Sequence, residues 1–202
     1  VNIDEYSTYA SIRPVSGASL KILVTGGAGF IGSHLVRFLH ERGDSVTVLD
    51  SFDESYDPAI KSQNLEGLQV DLVHGDVRDR VAVEQALRGV DAVVHLAALA
   101  GVRESLERPA EYASVNIGGT VTLLEALQAR DNIPLVFAGS SSVYGERSAG
   151  PFKETDPIGF PSSPYAGTKR AAELMCHAAH MSWGQMCTCL LYTSDAADDV
   201  IS

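Results

Sequence analysis

Two short stretches late in the chain hold side chains suited to moving a proton. YAGTK places Tyr165 and Lys169 four residues apart, which puts both on one face of a helix. A lysine there can lower the tyrosine pKa through its charge and also hold a ribose. A tyrosinate near neutral pH can take a proton from a sugar hydroxyl while hydride leaves the same carbon. The plainer reading of the pair alone is a surface tyrosine beside a solvated lysine. GSSSVYG, residues 139–145, ends the apolar run LVFA with three serines and no acid beside them.

Hydride chemistry needs a carrier, and TGGAGFIG supplies the turn for one. Gly26, Gly29 and Gly32 stand in the spacing GxxGxxG. The first allows a tight turn, the second lets backbone approach a pyrophosphate, and the third lets helix pack closely on strand. The helix start offers free N–H groups and a positive dipole end to phosphate. Asp50 ends the next strand 18 residues after Gly32 and is placed to accept from ribose hydroxyls. A 2'-phosphate beside it would meet like charge, so NAD is favoured over NADP. Asp76, in HGDVRD, is placed either to accept from the adenine amino group or to cap the following helix.

These residues need a frame, and the chain's 202 residues suit one domain with a sizeable core. A net charge of −11 argues against a general nucleic-acid binder but not against a nucleotide held by local dipoles. No run approaches the roughly 18 apolar residues of a membrane span. No secretory leader pattern opens the chain, and a reducing cytoplasm is expected. Cys176, Cys187 and Cys189 lack a usual metal spacing, and no metal is expected. Residues 1–19 read as a flexible extension. Without an initial Met, the start reads as a fragment edge or as added residues.

Strands are expected at residues 20–25, at SVTVLD, within LQVDLVHGD, at DAVVHLAA and at IPLVFAGS. Helices are expected over FIGSHLVRFLHER, with Ile31, Leu35, Phe38 and Leu39 on one face, and over residues 81–87, 109–127 and 164–181. The 109–127 helix carries apolar Val115, Leu123, Leu124 and Leu127. Strand and helix alternate, which predicts an α/β fold: a doubly wound parallel sheet of the Rossmann type.

With those motifs in order, the chain resembles the extended short-chain dehydrogenases/reductases, in their NAD-dependent nucleotide-sugar epimerase/dehydratase family. TGGAGFIGSHLV, LD at 49–50, HGDVRD, HLAALAGVRESLERP, VNIGGT, GSSSVYG and SPYAGTK carry the resemblance over residues 20 to about 188. It implies that Gly26, Gly29, Phe30 and Ile31 touch the pyrophosphate, Asp50 the ribose, and Asp76 and Val77 the adenine. Leu96, Ala97 and Ala98 would line the nicotinamide side, and Asn116 would steady the cofactor region. Tyr165 would be the catalytic base, with Lys169 its partner.

The same resemblance makes Ser140, three residues before the valine of VYG, the serine that shares a proton with the sugar 4-hydroxyl. Dehydratases of this family place Asp-Glu in the next two positions. Ser141 and Ser142 stand there instead and cannot remove a C5 proton or expel water near neutral pH. The expected reaction is therefore 4-epimerisation through transient oxidation at C4, with NAD regenerated each cycle. AGVRESLERP and SSSVYG are most similar to UDP-glucuronate 4-epimerases; a UDP-glucose 4-epimerase or another family epimerase/dehydratase is the alternative. Ser141 and Ser142 either bind a C6 carboxylate or leave room for any sugar. Arg103 either faces the anionic nucleotide-sugar or is an exposed helix arginine. A homodimer is implied for the full-length protein. A non-catalytic NAD-sensing module is the reading from another class, and the presence of Ser140, Tyr165 and Lys169 together favours the enzyme.

The family pattern should continue through a strand near CTCL into a C-terminal substrate domain. Instead the chain reads CLLYTSDAADDVIS. CLLYTSDAADD can be spelled by codons matching a transposase-type sequencing adapter. Residues 20–188 are expected to be the NAD-binding domain, and residues 189–202 a non-native tail without a functional site.

Overall fold

KILVT and SVTVLD are rich in β-branched residues, which suit a pleated surface buried on both sides. In the computed structural model, which describes residues 19–54, 57–130, 133–145, 152–153 and 155–190, they form the first two strands of a six-stranded sheet. The strands are β1 (Lys21–Thr25), β2 (Ser45–Asp50), β3 (Asp71–His74), β4 (Ala92–His95), β5 (Leu135–Ala138) and β6 (Cys187–Leu190). Every neighbouring pair is parallel. The order is β3-β2-β1-β4-β5-β6, the doubly wound order. The expected fold class holds.

Among the described residues, seven α-helices connect the strands: α1 (Phe30–Arg42), α2 (Pro58–Asn64), α3 (Arg80–Ala86), α4 (Val102–Glu107), α5 (Pro109–Tyr112), α6 (Gly119–Gln128) and α7 (Pro164–Trp183). They cover both faces of the sheet. Ile22 and Val24 of β1 pack with Val36 and Leu39 of α1. Leu23, between them, points into the other core with α3, α6 and α7, as the two-residue period of a strand requires. The chain runs outward from β1 to β3, then crosses back to β4 on the other side of β1. That reversal opens a crevice at the carboxyl ends of β1 and β4.

Several local expectations are corrected. The buried face of α1 is Gly32, Ser33, Val36 and Leu39; of the expected Ile31, Leu35, Phe38 and Leu39, only Leu39 is fully buried. Phe38 is 59% and Ile31 41% exposed, while Leu35 packs only partly against the core. Phe38 instead lies under the Arg42 guanidinium, 5.9 Å from its ring centre, which shields some of the ring without burying it. The helix expected over 109–127 is interrupted by a π-helical turn, Ala113–Gly118. Leu123, Leu124 and Leu127 are buried in the core, whereas Val115 lines the crevice.

The sequence reading passed over α2, although Asp57 caps it by accepting from the Ala59 N–H at 2.9 Å and Pro58 is its first residue. A helix at Arg103 was one of the expected alternatives, and α4 supplies it; the 3-10 turn Ser141–Tyr144 carries no such signal in the sequence. The extension read over 1–19 lies outside the described residues apart from Ser19, whose hydroxyl donates to Gly43 O at 2.8 Å. The domain boundary at 188 falls within β6, where Leu190 O accepts from the Gly139 N–H at 2.8 Å. Residues 191–202 lie outside the described residues.

Candidate active site

The crevice begins at the glycine turn. Gly26 has φ 71°, and a Cβ there would stand 2.7 Å from the Ala97 nitrogen on the neighbouring β4 connection. A Cβ on Gly32 would stand 2.1 Å from the Gly26 carbonyl oxygen. Only hydrogen fits at either place. Gly29 caps α1 without a side-chain hydrogen bond, and the first helical turn carries no acid. The turn therefore leaves backbone N–H groups and a positive dipole end facing the groove. Phe30 and Ile31 are both exposed beside it.

Asp50 is buried at the groove's edge. Its Oδ2 accepts from the Ala28 N–H at 2.9 Å and its Oδ1 from the Phe52 N–H at 2.8 Å. The carboxylate thus braces the glycine turn against the end of β2. A carboxylate offers about four acceptor sites, and among the described residues these two N–H groups take one on each oxygen.

At the end of β3, Asp76, Val77 and Arg78 line the same groove. Asp79, not Asp76, caps α3, accepting from the Val81 N–H at 2.8 Å. Val77 is buried, and a Cβ on Gly119 would reach 2.3 Å from its Cγ1, so α6 approaches the segment after β3 only through glycine. The hydrogen bond from Arg78, against the opposing effect of burial, holds the Asp76 carboxyl below the usual range.

On the other side, Leu96, Ala97 and Ala98 line the groove. The loop beyond them is strapped by Asn116, itself 2% exposed. Its Oδ1 accepts from the Leu99 N–H at 2.8 Å, and its Nδ2 donates to Leu99 O and to Thr168 Oγ1, each at 3.0 Å. One amide so joins the loop after β4 to α7. The π-turn carries this amide, as such turns often do at functional sites.

His95, also 2% exposed, was not singled out from sequence, although a histidine inside VVHLAA is a visible signal. Thr120 donates its hydroxyl to Asn116 O at 2.6 Å, so its oxygen takes the proton of His95 Nε2 at 3.1 Å. The Ala97 N–H donates to Thr25 Oγ1 at 3.2 Å, and Thr25 donates to His95 Nδ1 at 2.6 Å. The ring is thus neutral with its proton on Nε2. Burial first, then the Lys169 charge, lower its pKa from 6.5 to about 3. Between those values the unfolded chain binds the proton and the native one does not. Stability from this group is therefore whole above pH 6.5 and lost as pH falls toward about 3. The denaturation midpoint should fall on that acid limb, and less so in His95→Gln, whose amide can still accept from Thr25 and donate to Thr120.

Ser140 follows β5, and Tyr165 and Lys169 stand on α7, which packs against the turn Ser141–Tyr144. Ser140 Oγ accepts from the Ser142 N–H at 3.3 Å and shares a proton with Ser142 Oγ at 2.7 Å. Ser163 caps α7, accepting from the Ala166 N–H at 3.1 Å, and so fixes the turn that carries Tyr165. The Tyr165 ring meets Tyr112 edge to face, with centres 6.4 Å apart. Tyr112 was missed in the sequence; its hydroxyl donates to Ala100 O. Lys169 is 5% exposed, with Nζ 4.6 Å from the centre of the Phe137 ring. Burial lowers its pKa from 10.5 to about 8, against the upward pull of Glu173. Arg103 is exposed on α4 and does not line the groove.

A crevice at the switch point of a parallel sheet, opened by a turn in which no side chain fits at Gly26 or Gly32, defines a dinucleotide-binding domain. The residues present fit NAD: glycine backbone and a free helix start for the diphosphate, and a braced acid for the ribose. The pattern of the NAD dependent epimerase/dehydratase family matches residues 22–195, and the chain belongs to that family. It is 42% identical over 188 residues to UDP-glucuronate 4-epimerase 5 of Arabidopsis thaliana, covering 90% of this chain and 43% of that protein. It is 38% identical to the UDP-glucose 4-epimerase of Halalkalibacterium halodurans, covering 89% and 52%. The solved UDP-glucuronic acid 4-epimerase of Bacillus cereus, in complex with UDP-glucuronic acid and NAD, superposes with a TM-score of 0.78 at 35% identity, covering 86% and 56%. The chain spans about half the length of the curated relatives it matches. Among the described residues no helix is long and apolar enough to cross a membrane.

Proposed function

We propose that this chain is the cofactor-binding and proton-handling part of a nucleotide-sugar 4-epimerase whose substrate is UDP-glucuronate. The carrying observation is the hydroxyl pair at the end of β5, Ser140 Oγ and Ser142 Oγ at 2.7 Å, with Ser141 between them. Eliminating water from a hexose needs a base for the C5 proton and an acid for the departing C6 oxygen. Serine hydroxyls do neither near neutral pH. They do suit proton sharing at C4 and hydrogen bonding to a C6 carboxylate. The relatives named for UDP-glucuronate support that substrate, and the relative named for UDP-glucose supports the second reading.

In this reading Gly26, Gly29, Phe30 and Ile31 hold the diphosphate of NAD, Asp50 the ribose, and Asp76 with Val77 the adenine. Leu96, Ala97 and Ala98 wall the nicotinamide. Bound NAD supplies a reversible hydride acceptor. Tyr165 removes the proton of the sugar 4-hydroxyl and later returns it, and Ser140 shares that proton. Lys169, with a pKa of about 8, stays mostly protonated at neutral pH and stabilises the tyrosinate by charge. The plane of Phe137 under its ammonium helps to hold that charge out of water.

A chain extended to the relatives' length should convert UDP-glucuronate to UDP-galacturonate with no net NADH. A 4-keto-6-deoxy product from a UDP- or dTDP-hexose would overturn the serine argument. Epimerisation of UDP-glucose but not of the uronate would remove the carboxylate role from Ser141 and Ser142.

A further inference from the structure

We propose that Arg78 sets the base specificity at the adenosine end of the groove, by fixing the Asp76 carboxylate as an oriented, acceptor-only reader of an exocyclic amino group. This rests on the reading of Asp76 as the adenine contact. Asp76 Oδ1 accepts from the Arg78 backbone N–H at 2.7 Å and from its Nε at 2.9 Å, while Oδ2 accepts from Nη2 at 2.5 Å. The guanidinium is planar and forked, so two such bonds force carboxylate and guanidinium toward one plane. Its far side is pinned as well, Nη1 donating to Ser114 Oγ at 3.1 Å. Ser114 belongs to the π-turn, whose Val115 lines the groove. Arg78 is thus fixed between two elements, and Asp76 is fixed by Arg78.

Counting lone pairs gives the consequence. Each carboxylate oxygen accepts about two hydrogen bonds. Oδ1 already takes two; among the described residues Oδ2 takes one. One oriented acceptor site remains on a carboxylate that lines the groove. The Arg78 hydrogen bond keeps the group ionised, so it has no proton to donate. A base with an amino group at that position is accepted. A base with a carbonyl there sets two lone pairs against each other. Helix capping does not compete for Asp76, because Asp79 performs it. Lysine could supply the charge but not the fork.

The test titrates the chain with NAD and with nicotinamide hypoxanthine dinucleotide, which carries a carbonyl in place of the 6-amino group, by calorimetry. The unmodified chain should prefer NAD by about tenfold or more, the usual range for losing one hydrogen bond to a charged group. Arg78→Met should bring the ratio toward one by weakening NAD, leaving the hypoxanthine dinucleotide within about twofold. Arg78→Lys should restore only part of the preference, and it carries the test if Arg78→Met does not fold. Asp76→Ala should abolish the preference. If Asp76→Ala abolishes it while the Arg78 variants keep it, Asp76 reads the base without Arg78 and the proposal falls. Equal weakening of both dinucleotides in the Arg78 variants would show a bracing role alone and overturn it too. If Asp76→Ala leaves the ratio unchanged, the reading of Asp76 itself fails.

Discussion

Replacing Tyr165 by Phe in a chain extended to the relatives' length should slow epimerisation by about 10²–10⁴-fold, the usual contribution of a general acid–base group. NAD affinity should stay nearly unchanged. The phenyl ring keeps its edge contact with Tyr112, and the backbone of α7 keeps its Ser163 cap. The loss should appear in kcat, because the missing proton transfer belongs to the transition state. A loss below about tenfold would remove Tyr165 from the proton path. Loss of NAD binding together with activity would assign it a packing role.

Gly32→Ala should abolish measurable NAD binding in the chain as it stands. The new Cβ would sit 2.1 Å from Gly26 O and 2.7 Å from Gly27 Cα. Both are backbone atoms that cannot rotate aside, so α1 must move off the turn it starts from. Overpacking of this kind costs about 1–3 kcal/mol, and each kcal/mol lowers the melting temperature of such a domain by about 2–4 °C. Gly43→Ala is the control. Gly43 ends α1 at φ 91° with no atom within 4 Å of its would-be Cβ, so that change strains the backbone only. It should lower the melting temperature and leave NAD binding intact. Unimpaired NAD binding in Gly32→Ala would contradict the close-packing account.

β1 and β2 were legible because they are short β-branched runs, buried on both faces, that end at the glycine turn and at Asp50; β3 and β6 are mostly exposed edge strands and left a weaker pattern. The glycine turn was legible because its spacing encodes a steric demand. The face of α1 was not, since apolar residues also cover surfaces: Phe38 lies under Arg42, and Ile31 is exposed in the first turn of α1. The π-turn left no periodic trace, because its six residues, Ala113–Gly118, are too few to show a change of period, although Ser114, Val115, Asn116 and Gly118 are weak helix formers. His95 and Tyr112 looked like parts of an apolar run and a helix. Their roles come from partners far away in the chain, Thr25 being 70 positions from His95. Arg78 stood in plain view within HGDVRD. Its hydrogen bond to Ser114, 36 positions on, leaves no trace in that motif.

The π-turn also bears on how this segment can drift in evolution. Insertions in surface loops cost little, but an α-helix turns about 100° per residue. Ser114 holds Arg78 on one side, and Asn116 holds Leu99 and Thr168 on the other. Deleting one residue between Pro109 and Gly118 to regain regular α-winding would swing one of these two side chains away from its partners. Length is therefore fixed here more strictly than amino-acid identity, and natural variation in the segment should consist of substitutions without gaps.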